Sequence, residues 1–253
     1  MTDPLFSVAD RVILVTGGSR GLGREMCLGL AERGARVVIA SRKIDACEEL
    51  AAQIRGSGGE AFAVACHVGS WDSLDQVVAE ATARWGRLDG LINNAGMSPL
   101  VPSLSAISEA LFDKVIGVNL KGPIRLTALA AEAMKVTGGG SIVNISSLAS
   151  VKPISTAPIY SAAKAGLNAL TKASAIEFAD AGIRVNGIIC GTFDTDATAG
   201  FVRNEDLLPE VVRSIALGRV GRPDEIVGAA VYLLSDASSY TTGSLMTIDG
   251  CVS

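Results

Sequence analysis

The chain has a single histidine, His67, and five cysteines, none of them in a Cys-x-x-Cys pair. So few soft and imidazole ligands argue against a zinc site, and the cysteine spacing argues against a disulfide framework. Cys27, Cys47 and Cys66 are expected as small core hydrophobes of a reducing compartment. There is no basic excess, since 22 Lys and Arg stand against 26 Asp and Glu for a net charge of −4. A duplex nucleic-acid partner is therefore not expected. No run approaches about eighteen uninterrupted apolar residues, so no membrane span is expected. Met1-Thr2-Asp3-Pro4-Leu5-Phe6 lacks a basic stretch leading into an apolar one. The reading is a cytoplasmic protein without a signal peptide.

What is present is an ordinary globular composition, 253 residues with 49% hydrophobic and 19% charged. No linker or composition shift divides it, so residues 1–253 are read as one domain. Residues 11–16 form a β-branched run that reads as a buried strand. Gly17-Gly18-Ser19-Arg20-Gly21-Leu22-Gly23 follows at once, and Leu22, Met26 and Leu30 then recur at helical spacing. Strand, glycine turn and helix are the setting of a phosphate-binding loop, because glycine lets the backbone approach a pyrophosphate and a helix start offers free N–H groups. The spacing is Gly-x-x-x-Gly-x-Gly and not Gly-x-Gly-x-x-Gly, and a plain tight turn is the alternative.

Residues 36–41 are a second strand, ending at Ser41-Arg42-Lys43. An acidic residue here would hold a ribose 2′-hydroxyl, whereas arginine accommodates a 2′-phosphate. Serine followed by two cations, with Arg20 able to converge from the glycine loop, favours NADP(H), with NAD(H) as the alternative cofactor. Solvated charge is the other reading of these cations, but cations at a helix start oppose the dipole. Strands follow at 61–68, 88–93, 141–147, 183–189 and 243–249. Helices are read at 43–55, 70–85, 108–135, 158–180 and 223–235, with 191–216 less regular. This alternation means a parallel sheet with right-handed crossovers. Asn119 lies inside helix 108–135 between Gly117 and Gly122, poor helix material that points to a kink or a functional polar group. A satisfied core amide is the alternative.

Gly17, Ser41-Arg42, His67, Asn93, Ser147 and Cys190 all end or follow strands, the edge where open parallel sheets bind ligands. Tyr160 and Lys164 share a helix face one turn apart. A cation beside a phenol draws its pKa down from about 10; a solvated helix-face pair is the alternative. Ser147 can meet the phenol across the loop between strand and helix.

Taken together, Thr16-Gly17-x-x-x-Gly21-x-Gly23, Asn93-Asn94-Ala95-Gly96, Asn119, Ser147, Tyr160-x-x-x-Lys164, Asn186, Gly191 with Thr195, Gly221-Arg222-Pro223-Asp224-Glu225 and Asp249-Gly250 resemble the short-chain dehydrogenase/reductase family, essentially end to end. The resemblance implies an α/β fold, a Rossmann-like doubly wound sheet of seven parallel strands flanked by helices, usually in a homotetramer or dimer. The Tyr-x-x-x-Lys spacing points to the ketone/alcohol branch, since the family's enoyl reductases have a longer gap. The resemblance further implies hydride exchange between nicotinamide C4 and a carbonyl carbon, with Tyr160 as general acid or base. Lys164 would lower the tyrosine pKa and hold the nicotinamide ribose. Ser147 would bond the substrate oxygen, Asn119 would anchor a relay water, and Thr195 would hold the carboxamide.

Implied cofactor contacts on the glycine loop are Gly17, Ser19, Arg20, Gly21, Leu22 and Gly23. Those at later strand ends are Ser41, Arg42, His67, Val68, Asn94, Ala95 and Gly96. Cys190, Gly191 and Phe193 join Tyr160, Lys164 and Thr195 on the nicotinamide side. Three departures stand out: His67 where the family usually has Asp near the adenine, Cys190-Gly191 for Pro-Gly, and Cys251 where a second glycine is usual. His67 is read as altering adenine contacts or as structural, Cys190 as an inert spacer or an oxidisable neighbour of the nicotinamide, and Cys251 as a residue for a subunit contact.

Two rival readings differ in what they require. A 3-oxoacyl-carrier-protein reductase would carry basic residues at helix ends, and 136–140 and 179–181 have none. A non-catalytic cofactor-binding or scaffold protein would show a broken Ser/Tyr/Lys set, and the set is intact. The candidate lining segments 97–104, 148–159 and 193–208 supply Leu148, Val151, Ile154, Phe193 and Phe201. They point to a neutral, moderately lipophilic ketone or secondary alcohol, with 191–216 as a mobile lid.

Overall fold

A computed structural model of the chain describes residues 3–252. Met1, Thr2 and Ser253, which the reading of the N-terminus and of a chain-long domain includes, lie outside the described residues. The first apolar run is strand β1 (Val12–Thr16), buried along its whole length. Val12 and Leu14 face one core cluster and Ile13 and Val15 the other, the two-residue alternation of a strand covered on both faces. Helix α1 (Gly21–Ala31), β2 (Arg36–Ser41), α2 (Ile44–Gly56), β3 (Glu60–Ala65), α3 (Leu74–Ala83) and β4 (Gly90–Asn93) follow. The expected strand 61–68 ends at Ala65, so His67 and Val68 belong to the loop, and the start of expected helix 70–85 is a separate 3₁₀ turn, Trp71–Ser73.

The expected helix 108–135 is broken. It consists of α4 (Glu109–Ile116), a π turn over Gly117–Lys121, and α5 (Gly122–Val136). A Cβ at Gly122 would lie 2.1 Å from the carbonyl oxygen of Val68. Glycine is therefore what lets the loop after β3 press against the turn. The chain continues through β5 (Gly140–Ser147), α6 (Pro158–Glu177), β6 (Ile183–Cys190), the short α7 (Ala199–Val202) and α8 (Leu208–Arg213), α9 (Val227–Leu234) and β7 (Leu245–Ile248).

The seven strands form one sheet in the order β3-β2-β1-β4-β5-β6-β7, every pairing parallel. Helices α1, α2 and α9 cover one face through Met26, Leu30, Ile54 and Val231, and α3, α5 and α6 cover the other through Leu74, Leu126, Met134 and Ala175. The strand order reverses between β1 and β4, which opens a crevice at their carboxyl ends.

Residues 245–252 close the substrate side of that edge. Ile248 accepts from the Gly191 N–H at 2.9 Å, Cys251 from Ala216 at 2.9 Å and Gly250 from Leu217 at 3.1 Å. Lys152 Nζ reaches the Val252 carbonyl at 2.9 Å. Cys251 sits at φ +63°, in the left-handed region where a second glycine is usual. Among the described residues no helix is long and apolar enough to cross a membrane.

Candidate active site

The crevice begins at the β1–α1 loop. Gly17 and Gly21 have φ of +64° and +53°, and a Cβ at Gly23 would lie 2.3 Å from the Gly17 carbonyl oxygen. The turn can close so tightly only with glycine at these places. Asn94, just past β4, pins it: Nδ2 donates to the Thr16 and Gly17 carbonyls at 2.9 and 3.2 Å. The N–H groups of Asn94 and Ala95 donate to Thr16 Oγ1 at 3.0 and 3.1 Å. No side chain caps the start of α1, so its first N–H groups face the crevice unclaimed by a cap. Ser19 and Leu22 are half-buried, with Leu22 packed on the core.

Ser41 and Arg42 stand at the neighbouring strand end. Ser41 Oγ lies 3.0 Å from Cys47 Sγ and donates to the Lys43 carbonyl. Arg20 and Arg42 are exposed. Most arginines of the chain are paired with carboxylates, but among the described residues these two take part in no ion pair. Val68 is buried, whereas His67 is exposed, with Nδ1 accepting from the Gly69 N–H at 3.2 Å.

On the other side of the crevice Ser147 ends β5, directly opposite Cys190 in the sheet register. The Tyr160 side chain comes near that of Ser147 across the loop, and Ser147 draws the phenol pKa down. Lys164 is buried, its Nζ donating to the Ile145 carbonyl at 2.7 Å and lying 5.8 Å from the Tyr160 ring centre. The ionisation differs from expectation. Burial raises the Tyr160 pKa, Ser147 works against that rise, and Lys164 is not among the groups that lower it. Burial instead pushes the Lys164 ammonium down to about 8. The pair that looks like a cation activating a phenol is a half-buried phenol beside a fully buried ammonium, each driven towards neutrality by desolvation. Burial likewise pushes the Cys190 thiol up to about 12, which favours the inert-spacer reading over the oxidisable one.

Asn119 sits fully buried within the π turn, where the sequence places a kink. Nδ2 donates to the carbonyls of Met97 and Val115, both at 2.9 Å, and Oδ1 accepts from the Met97 N–H at 3.2 Å. The side chain is thus a satisfied core amide that locks the loop after β4, and both of its donors are spent before any water is anchored. Gly96 lies between it and the lysine: a Cβ there would stand 3.1 Å from Asn119 Oδ1 and 3.8 Å from Lys164 Nζ.

Phe193 is a correction. It was expected to line the substrate cleft, but it is buried in the core cluster and its ring lies against Gly221. Gly191 approaches Asp249 so closely that a Cβ would lie 2.5 Å from the Asp249 Cβ. Thr195 faces the glycine loop, 3.6 Å from where a Cβ would stand on Gly21. Its position is set by Thr198, whose Oγ1 lies 3.1 Å from Thr195 N and 3.2 Å from Thr195 Oγ1. Sequence reasoning missed Thr198, although the three-residue spacing of two threonines is a turn signal. It placed Met97 in a lining segment but missed its pairing with Asn119. Val151 and Ile154 are exposed beside the site, while Val101, Ala157 and Ile159 line an apolar recess that includes Tyr160.

Known proteins resemble the chain over nearly all of its length. A family model described as enoyl-(acyl carrier protein) reductase matches residues 17–253. The dehydrogenase/reductase SDR family member 4 of Pongo abelii is 33% identical, over 98% of this chain and 88% of that protein. The L-rhamnose 1-dehydrogenase (NAD(P)(+)) of Azotobacter vinelandii is 36% identical, over 95% and 96%. A gluconate 5-dehydrogenase from Burkholderia cenocepacia, solved with NADP and tartrate, superposes with a TM-score of 0.93 at 32% identity, covering 98% of this chain and 96% of its own. The chain belongs to the short-chain dehydrogenase/reductase family, oxidoreductases that act on CH–OH groups with a nicotinamide cofactor.

Proposed function

We propose that the chain moves a hydride between NADP(H) and a neutral, moderately lipophilic ketone or secondary alcohol, with Tyr160 as general acid and base. The observation that carries this reading is the convergence of Tyr160 with Ser147 and with buried Lys164, whose Nζ lies 5.8 Å from the tyrosine ring centre, at the crevice edge. The residues present fit a dinucleotide. The start of α1 has no side-chain cap, which leaves its first N–H groups for an anion, and among the described residues the exposed Arg20 and Arg42 take part in no ion pair. When bound, the nicotinamide supplies the hydride chemistry at C4.

Arg20, Ser41 and Arg42 hold a 2′-phosphate, and Gly17, Ser19, Gly21, Leu22 and Gly23 hold the pyrophosphate through main-chain N–H groups. His67 and Val68 border the adenine, and Asn94, Ala95 and Gly96 the adjoining ribose. Lys164 binds the nicotinamide ribose. Cys190, Gly191, Thr195 and the main chain of Phe193 border the nicotinamide. Ser147 donates to the substrate oxygen. Tyr160 gives that oxygen a proton in ketone reduction and takes it in alcohol oxidation. A phenol that burial keeps protonated is suited to the first direction. Asn119 keeps Met97 and Gly96 in register with Lys164, so the relay water of the resemblance is assigned to main-chain oxygens of the π turn.

The whole chain acts as one domain of a cytoplasmic homotetramer or dimer. Its lid spans 191–216, where Arg203 bonds Asp194 at 3.2 Å and approaches Asp196 at 3.6 Å. The exposed apolar side chains of Val151 and Ile154 beside the site support a lipophilic substrate. The absence of basic residues at 136–140 and 179–181 weighs against acyl-carrier thioesters, and the Tyr-x-x-x-Lys spacing against an enoyl substrate. The test is a panel of ketones, secondary alcohols and carrier-protein thioesters assayed with each cofactor, beside Tyr160→Phe. Turnover of ketones or alcohols is expected in the wild type, with thioesters poor. The variant is expected to lose nearly all turnover and keep NADPH binding. An active Tyr160→Phe enzyme would refute the mechanism, and efficient thioester turnover would restore the carrier-protein reductase.

A further inference from the structure

Helix α6 brings more to the site than Tyr160 and Lys164. Asn168 follows Lys164 by four residues, on the same face of the helix. It is 8% exposed, and its Nδ2 lies 2.8 Å from Ser150 Oγ. Ser150 Oγ in turn lies 2.6 Å from the Ser147 carbonyl oxygen. A carbonyl oxygen only accepts, so Ser150 spends its proton on Ser147, and the amide is the donor to Ser150. These two bonds tie the 3₁₀ turn after β5, Leu148–Ser150, to the helix. Within the turn Ser147 Oγ accepts from the Ala149 N–H at 3.2 Å. That contact fixes the hydroxyl oxygen and leaves its proton free to be donated elsewhere. The helix that carries the phenol therefore also sets the place of the serine.

The amide does so at a cost. With Nδ2 committed to Ser150, Oδ1 is buried and has no partner among the described residues. An orphaned buried acceptor is destabilising, and a leucine of similar volume would fill the position without one. A local rule broken in this way points to a functional constraint. We infer that Asn168 is a positioning residue for the reaction, holding the Ser147 hydroxyl in place for the substrate oxygen through Ser150. The inference rests on the roles proposed above for Ser147 and Tyr160. Asn168 acts through the serine turn alone, so its loss is read in kcat and leaves cofactor binding as it was.

The experiment is a double-mutant cycle on kcat. Wild type, Asn168→Leu, Ser147→Ala and the double variant are assayed with saturating NADPH and cyclohexanone, or with whichever ketone of the panel above the wild type reduces faster. Nicotinamide fluorescence gives the NADPH Kd of each without turnover. Ser147→Ala is expected to lower kcat about a hundredfold. Asn168→Leu is expected to lower kcat about tenfold or more, the scale of a misplaced catalytic group, with the NADPH Kd unchanged. In the Ser147→Ala background the same substitution is expected to change kcat by no more than about twofold, because the hydroxyl it places is gone. An Asn168→Leu enzyme with wild-type kcat overturns the inference. So does a loss that persists undiminished without Ser147, or one that NADPH binding shares. Should Asn168→Leu not fold, as judged by circular dichroism, Ser150→Ala breaks the same link from its other end and decides by the same criteria. If no ketone turns over, or Ser147→Ala is as active as wild type, the mechanism proposed above falls and takes this inference with it. If Ser147→Ala is impaired and Asn168→Leu is not, only this inference falls.

Discussion

The Lys164 ammonium donates to the Ile145 carbonyl at 2.7 Å, two residues before Ser147 on the same strand. That contact holds a cation in a place where burial disfavours charge, and its cost can be measured. The Lys164 pKa is about 8 in the folded chain against an ordinary 10.5. Between those values the unfolded chain binds more protons at this residue than the folded one. The lysine's contribution to stability therefore rises as pH climbs from about 8 to about 10.5, by roughly 3 kcal/mol over the full span. Cys66 and Cys190, each pushed up to about 12, act in the opposite direction once unfolded thiols ionise above about 9. The clean measurement is thus the difference between wild type and Lys164→Met, from urea unfolding at pH 7 and pH 9 without cofactor. Lys164→Met should be the more stable at pH 7, with the gap narrowing at pH 9. A gap independent of pH would mean that the lysine is not strained by burial.

Arg20 and Arg42 are exposed and unpaired. If Arg42 grips a 2′-phosphate, Arg42→Ala weakens NADPH by about 1.5–3 kcal/mol, the scale of a hydrogen bond to a charged group, and leaves NADH unaffected. Calorimetric titration with both cofactors distinguishes the cases. Equal losses for the two would assign Arg42 a general role in the loop and no phosphate.

Asn119→Leu keeps much of the volume and strips Met97 of both its hydrogen-bond partners in the π turn. Leaving such groups unpaired costs about 1–3 kcal/mol, so the melting temperature should fall by several degrees. Turnover should fall with it, because the loop that sets Gly96 between Asn119 and Lys164 loses its anchor. A variant with wild-type stability would show that the turn does not depend on this amide.

The fold was legible because alternation of buried strands and amphipathic helices leaves few topologies, and the glycine spacing locates the crevice within it. Asn119 was legible as a violation: a polar residue between glycines inside a helix pattern marks the π turn. Its partner Met97 was not, since that pairing joins residues 22 apart in sequence and no local pattern encodes it. The Tyr160–Lys164 ionisation was misread because spacing shows who is near whom and says nothing about how dry the site is. Phe193 was misread for a similar reason. An aromatic in an irregular segment reads as exposed lining, and only the close approach of Gly221 reveals that its ring points into the core.

The contacts that residues 245–252 make with Gly191, Ala216 and Lys152 set an order in time. On the ribosome these eight residues emerge after every other part of the crevice has been made. The glycine loop draws its own hydrogen-bond partners from residues 16–95, so that half can be complete while the nascent chain is still tethered. The substrate half cannot. Gly191 has no Ile248 to bond and Lys152 no Val252 until these residues emerge, and a chain stalled before them would carry a finished glycine loop beside an unfinished opposite side of the crevice.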